Sequence, residues 1–407
     1  MGASNPIQAA RRRRCEVMGI DFDAASESFL AAISLAQPLV AIVCSRVGHD
    51  PRRHRRLSQQ IAVSVQQARR DEATLLIADG TAIDPWVTHA AEVFQVPVVR
   101  LAASDQGDRD VIAMADRVDA AYVRSGGKVT KILRKRAKLQ SGMVRVAIAG
   151  PTSDGLQKDG PQKDRHAIWQ LLDAGAVGRY LPHDHHTGPD DGGDHGSREL
   201  QRSSCPPIDW SNYLVHCTRA AAGPWPGQSW ASYRDDLLLA DPAAAARDAI
   251  DTLCRIVRCQ RLIAGATTSD QAAGVVCFSA VELPELLAAR TYRSHLHRWD
   301  YEPFGIAIER RAALRMGMQP VVYGDRVTRQ KLPTHQRFRF QSAGTTYDWT
   351  KEREWRSNTD IDLSRLGMGE VLIFVPDENS ARRVGSCNQA TWSIIRLDQL
   401  PAAEKPV

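Results

Sequence analysis

Four short apolar runs, each followed by a stretch of helical spacing, constrain the first third of this chain more than any other feature. Pro38–Ser45 (PLVAIVCS) is apolar at every step until its last residues, as a strand covered on both faces must be. His54–Arg70 then repeats Leu57, Ile61 and Val65 at helical intervals. Thr74–Ala78 (TLLIA) is a second buried strand and breaks at Asp79-Gly80-Thr81. Ala82–Phe94 resumes as a helix with Trp86, Ala90 and Phe94 on one side. Val96–Leu101 predicts a third strand, Arg109–Arg117 a helix, Ala120–Val123 a fourth strand, and Gly126-Gly127 leads into a basic helix, Lys128–Leu139. Strands alternating with helices at this spacing predict an α/β fold with a doubly wound parallel sheet.

In such sheets the ligand crevice lies beyond the carboxyl ends of the strands. Those ends carry Ser45-Arg46, the run from Asp79 through Gly80 and Thr81 to Asp84, and Arg100. Small residues let backbone amides approach phosphate, and an Asp can hold a sugar hydroxyl. Ser-Arg after the first strand and Gly-Thr-x-x-Asp after the second resemble the SLOG superfamily of Rossmann-like nucleotide-binding domains. The likeness spans about residues 37–140. The glycine usual before Ser-Arg is Cys44 here, and a later glycine-rich motif is not apparent. The resemblance implies a ligand sensor, with Ser45, Arg46, Gly80, Thr81 and Asp84 around a nucleotide.

A chain of 407 residues and 44.9 kDa exceeds what one core usually organises, so two domains are expected. The expected divisions are a basic tail over residues 1–36, the Rossmann-like domain over 37–145, a flexible linker over 146–204 and a second domain over 205–407. Net charge is +6, concentrated at Arg11–Arg14, Arg46–Arg56 and Lys128–Lys138. The last of these is a candidate nucleic-acid face, although no aromatic residues interleave the basic runs. The eight cysteines form no CxxC pair, the usage of reduced thiols in the cytoplasm rather than of a zinc ribbon. No apolar run is long enough for a bilayer, and the start lacks a signal-peptide core. His183, His185, His186, Asp190, Asp191, Asp194 and His195 sit in a Gly-rich loop that offers no framework for a metal, so none is expected.

In the second half, Asn212–Thr218 predicts a strand ending in His216-Cys217-Thr218-Arg219. Gly274–Ser279, Phe304–Ile308, Gln319–Tyr323, the Glu352-Arg353-Glu354 segment and Glu370–Pro376 add further strands. Carboxylates at i and i+2 of a strand share a face, an arrangement that is costly unless they share a task. His-x-Thr-Arg on an early strand and Glu on a late one resembles ADP-ribosyltransferases, and the order resembles bacterial domains associated with abortive phage infection. That likeness, over about residues 205–385, implies an α+β split sheet clasping NAD as substrate. His216 would bind the nicotinamide ribose, with Thr218 and Arg219 near the amide or diphosphate. Glu354 would stabilise the oxocarbenium-like transition state, and Glu352 would orient the nucleophile. Ser279, Tyr292 and Arg298 are candidates for the middle element of the triad.

Together the resemblances imply a nucleotide-sensing antiphage effector that cleaves NAD and transfers ADP-ribose to an acceptor or to water. Its oligomeric state is left open, homo-oligomers included. Two other classes compete: a catalytically inactive nucleotide-binding or interaction module, and a HEPN-like ribonuclease. The ribonuclease would use the Arg-x4-His spacing of Arg290 and His295, which needs a helical bundle. A structure in which His216 and Glu354 face one cleft is the requirement of the transferase assignment.

Overall fold

The computed structural model describes residues 6–23, 37–48, 50–148, 162–180, 208–221, 223–239, 242–265, 274–293, 298–344 and 348–400. The chain forms two compact units, Met1–Gly192 with Gly223–Ala245, and Gly193–Ala222 with Ala246–Val407.

The first unit contains α1 (Pro6–Met18), β1 (Leu39–Cys44), α2 (Pro51–Arg70), β2 (Thr74–Ala78), α3 (Asp84–Phe94), β3 (Val98–Leu101), α4 (Gly107–Met114), β4 (Arg117–Tyr122), α5 (Lys128–Leu139), β5 (Val144–Ile148), α6 (Gln162–Asp173) and β6 (Val177–Tyr180). All six strands are parallel, in the order β3-β2-β1-β4-β5-β6. Every residue of β1 is buried, and its period of two feeds two cores. Leu39, Ala41 and Val43 pack with Cys15, Met18, Met114 and Leu133 on one face. Val40, Ile42 and Cys44 pack with Leu57, Ile61 and Val65 on the other. Each such aliphatic side chain contributes about 1.5–3 kcal/mol by leaving water. The α2 helix begins cleanly because Asp50 accepts from the Arg52 and Arg53 amides and Pro51 occupies its first turn.

Three expectations about this unit need correction, and one falls outside the described residues. The basic segment near the N-terminus is not a tail over its helical part. In α1, Arg11 and Arg14 are buried and both pair with Asp116, while Cys15 and Met18 enter the core. The sheet does not stop near residue 145, because β5, α6 and β6 extend it through part of the expected linker. Residues 181–207, including the His183–His195 cluster, lie outside the described residues. Finally, the span 205–407 is not one body. Within it, α7 (Trp230–Leu238) and α8 (Pro242–Ala245) belong to the first unit, where Tyr233 meets His54 and Trp86. Apolar packing of Tyr233 and Leu237, both fully buried, holds that excursion in place.

The second unit holds β7 (Tyr213–Cys217), α9 (Ala249–Cys259), β8 (Arg261–Leu262), β9 (Val276–Ser279), α10 (Leu283–Ala288), β10 (Tyr292–Arg293), β11 (Arg298–Trp299), β12 (Gly305–Glu309), α11 (Arg310–Arg315), β13 (Gln319–Pro320), β14 (Val322–Gly324), α12 (Arg326–Lys331), β15 (Phe340–Ser342), β16 (Glu354–Ser357), β17 (Ile361–Asp362), β18 (Val371–Val375), α13 (Glu378–Gly385) and β19 (Ser393–Arg396). Its principal sheet is mixed, in the order β13-β16-β9-β7-β12-β18-β19, with only β18 and β19 parallel. Alternation again divides the core. Leu214, Phe278, Ile306, Ile308 and Ile373 form one side; Val215, Ala307, Leu372 and Phe374 form the other. At Gly305 a Cβ would stand 2.1 Å from the His216 carbonyl oxygen and 2.5 Å from the Phe374 ring, so only glycine fits there.

Candidate functional site

In the first unit the chain builds β1, β2 and β3 outward on one side, then returns to build β4, β5 and β6 on the other. The reversal opens a crevice at the carboxyl ends of β1 and β4, the usual ligand position of an open α/β sheet. Ser45 follows β1; its amide donates to the Tyr122 carbonyl (2.8 Å) and its Oγ accepts from the Arg124 amide (3.2 Å). The Thr130 hydroxyl donates to the Arg124 carbonyl (2.7 Å), which fixes the turn Arg124–Gly127 beneath α5. The α5 helix starts at Gly127 without a side-chain cap, so its first amides keep their affinity for an anion. Exposed Arg46 and Arg124 lie on the two loops, and Lys128 opens α5. By contrast, the Asp50 carboxylate already occupies the start of α2, the place where a dinucleotide fingerprint would receive a pyrophosphate.

Ser45 and Arg46 thus lie at the carboxyl end of β1, beside the crevice. Gly80, Thr81 and Asp84 close a turn at the neighbouring strand end. Thr81 Oγ1 donates to the Ala78 carbonyl (2.9 Å), and Asp84 accepts from the Gly80 amide (3.1 Å), Thr88 (2.9 Å) and Arg100 (3.1 Å). Burial opposes ionisation of Asp84, but these donors hold its carboxyl below the usual range. Its oxygens are committed to the turn rather than to a sugar. The sequence pattern did not single out Arg124 or Asp108, and it marked Lys128 only as part of a nucleic-acid face. Burial raises the Asp108 carboxyl, with Lys128 as the opposing charge. The Gly126-Gly127 pair before a basic helix was the available signal. That helix is less basic at its surface than its composition: Arg136 is fully buried and donates to the carbonyls of Ile112, Ala115 and Asp116 (3.3 Å each).

In the second unit the expected catalytic residues do not form the arrangement that the sequence suggested. Glu354 pairs with Ser279 across β16 and β9, and Ser279 pairs with Val215 across β9 and β7. These three residues share a face. His216 is the next residue on β7 and therefore points to the opposite face, where its ring packs on Phe278 (5.2 Å) and its Nδ1 bonds the Cys277 carbonyl (2.8 Å). Burial lowers the His216 pKa, which keeps the ring neutral. His216 is a core histidine, not a partner of Glu354. Thr218 is also committed: it is buried, and its hydroxyl reaches the carbonyls of Ala249 (2.9 Å) and Phe304 (3.2 Å).

Glu352 and Glu354 are not successive positions of one strand. Glu352 ends a 3-10 turn, Trp349–Glu352, and Arg353 adopts φ +43° before β16 begins. The two carboxylates still feel each other. Burial, with Glu354 nearby, raises the Glu352 pKa, against the hydrogen bond from Tyr301 Oη (3.0 Å) and the charge of Arg219. Ser279 Oγ donates to the Glu352 carbonyl (2.7 Å). Glu354 is bound by Arg356 through both oxygens (3.0 and 2.9 Å). The rest of that guanidinium reaches the Phe338 and Phe340 carbonyls and Gln341 (3.2, 3.0 and 2.7 Å). Burial and the Glu354 charge push the nearby Cys277 thiol up to about 12. Of the two carboxylates, Glu354 is paired with Arg356 and structural, whereas Glu352 has its pKa raised by burial.

The remaining candidates lie elsewhere. Tyr292 is exposed on the β10–β11 hairpin, edge-on to Trp299 (5.3 Å). The Arg298 side chain falls outside the described residues. Arg290 stacks over Trp299 (4.4 Å) and pairs with Glu302 (2.8 Å). His295 lies outside the described residues, but Tyr292–Arg293 is strand, so the Arg290–His295 spacing is not carried on one helix as a HEPN site requires. Among the described residues no group of His, Cys, Asp or Glu could hold a metal ion, and no helix is long and apolar enough to cross a membrane. In comparison with known proteins, no family model and no curated protein matches this chain.

Proposed function

We propose that this protein binds a nucleotide or another phosphate-bearing ligand at the crevice between β1 and β4. The observation that carries the proposal is the strand order, which reverses direction at that crevice. The uncapped start of α5 and the cations Arg46, Arg124 and Lys128 supply anion affinity there. Calorimetric titration of the full chain with NAD, ADP-ribose, ATP and inorganic phosphate tests the proposal. Arg124→Ala is expected to weaken binding of the nucleotide that the wild type takes by about tenfold, the worth of one charge-assisted phosphate contact. A folded wild type that binds none of these probes refutes it, as does unchanged affinity in the Arg124→Ala and Lys128→Ala variants.

The transferase assignment fails its requirement, since His216 and Glu354 take opposite faces. A second reading that dispenses with His216, simple cleavage of NAD by the second unit, is favoured by one observation. Glu352, Glu354, Ser279 and Tyr301 converge on one side of the mixed sheet, and Glu352 retains a carboxyl of raised pKa. In this reading Glu352 supplies the counter-charge as nicotinamide leaves, and His216 takes no part. Glu352→Gln then lowers nicotinamide release by about 10²–10³-fold, while His216→Asn spares it. Release at the wild-type rate from Glu352→Gln excludes this reading.

A further inference from the structure

The side of the second unit away from Glu352 carries a thiol pair that the proposed function does not use. Cys254 lies on α9, and Cys387 lies two residues past the end of α13. The two helices are tied by an ion pair between Asp251 and Arg383. Cys254 is buried, whereas Cys387 is only partly so, and each thiol shifts the ionisation of the other. Arg258, one turn beyond Cys254 on α9, aims its Nη2 at the Cys387 sulfur from 3.2 Å. The Ser386 hydroxyl is 3.8 Å from the same sulfur. On the Cys254 side, the sulfur contacts the Arg383 carbonyl at 4.0 Å.

We infer that Cys387 is a redox modification site, an arginine-activated thiolate that peroxide oxidises and Cys254 resolves as a disulfide. The charges facing the pair fit these unequal roles. Burial pushes the Cys254 thiol up to about 12, and the charge of Asp251 adds to the effect against that of Arg383. Burial also opposes ionisation of Cys387, but the bonds from Arg258 and Ser386 outweigh it and hold the thiol below its ordinary value. A thiolate beside a guanidinium and open to solvent is the reactive kind. Cys259, exposed on the same helix, has no such bond among the described contacts and serves as an internal control.

The chemistry balances. The Cys387 thiolate attacks one peroxide oxygen, the S–O bond forms, the O–O bond breaks, and the departing hydroxide takes up a proton as water. Sulfur of the resulting sulfenic acid is then attacked by Cys254. The S–S bond forms, the S–O bond breaks, and the leaving hydroxide accepts the Cys254 proton. Two thiols and one hydrogen peroxide give one disulfide and two waters. The product crosslinks α9 to the turn after α13.

The test uses the full chain, because trypsin places the three cysteines on separate peptides, residues 248–255, 259–261 and 384–396. At pH 7, iodoacetamide is expected to label Cys387 faster than Cys259, because the Arg258 guanidinium favours the Cys387 thiolate. Equal or slower labelling overturns the proposal without any variant. Hydrogen peroxide should join peptides 248–255 and 384–396, and in Cys254→Ser dimedone should trap a sulfenic acid on Cys387. Absence of both products overturns the proposal. Arg258→Gln should slow labelling of Cys387 and raise the midpoint of its pH–rate profile, and Arg258→Lys should restore much of the rate. An unmoved profile in Arg258→Gln refutes the role of the guanidinium.

Discussion

Arg356→Ala is the perturbation for which the structure gives the clearest magnitude. The side chains of Arg356 and Glu354 are only 8% and 14% exposed, and they meet through two hydrogen bonds. Truncating Arg356 strands the Glu354 carboxylate in a water-poor site, a loss of about 3–5 kcal/mol for a broken buried pair. It also removes the donors to the Phe338 and Phe340 carbonyls, each a further cost of about 1 kcal/mol where water cannot replace them. The net expectation is a loss of about 5–7 kcal/mol, a large share of the ~5–15 kcal/mol by which a typical domain is stable. Glu354→Gln should be milder, about 1–3 kcal/mol, because the amide keeps the shape and one acceptor. Replacing both partners with apolar residues (Glu354→Leu with Arg356→Met) should recover most of the loss, since no charge is left buried alone. Urea unfolding measures each variant, with hydrogen exchange at residues 354–357 localising the effect to the second unit. A loss below about 1 kcal/mol in Arg356→Ala, or a Glu354→Leu/Arg356→Met double variant no more stable than Arg356→Ala, would refute the structural role given to Glu354.

Other consequences follow from groups already described. His216 has a depressed pKa, so its neutral form adds stability that is complete above the unfolded value near 6.5 and is lost as pH falls toward the folded value. His216→Asn should flatten that part of the stability–pH curve, and an unchanged slope counts against a buried neutral ring. Tyr301→Phe removes the hydrogen bond that favours ionised Glu352. Carbon NMR of the Glu352 carboxyl should then record a still higher titration midpoint; a lower one contradicts the geometry. Burial opposes ionisation of Asp116, but Arg11, the Leu39 amide and Arg14 hold its carboxyl below the usual range. Its contribution is therefore present above about pH 4 and lost as pH falls through the folded value. Asp116→Asn should cost about 3 kcal/mol at pH 7 and nearly nothing at low pH, by thermal unfolding at both.

The early strands of the first sheet were legible because β1, β2 and nearly all of β4 are buried on both faces, whereas the partly exposed β5 and β6 were not legible. Leu39–Cys44 is apolar throughout and Thr74–Ala78 after its first residue, a pattern that needs helices on both sides. Helical spacing in α2 and the basic run of α5 were equally local signals. Local signals also misled. Arg11 and Arg14 look like the start of a solvated tail until Asp116, about a hundred residues later, buries them. Arg136 looks like part of a nucleic-acid face until three carbonyls claim it.

The candidate site in the second unit depended on information that no local pattern contains. Two carboxylates at i and i+2 share a face only if the residue between them is extended, and Arg353 instead turns through φ +43°. His216 and Glu354 each occur on a strand, as the sequence implied. Whether they share a cleft depends on pairing register, because a shift of one residue sends a side chain to the other face. The pairing of Val215 and Glu354 with Ser279 made that choice. Composition and periodicity determined that there would be a parallel sheet and a later set of strands. Only the tertiary structure decided strand order, the face each side chain takes and the partners of its charges, because those are set by contacts between residues far apart in the chain.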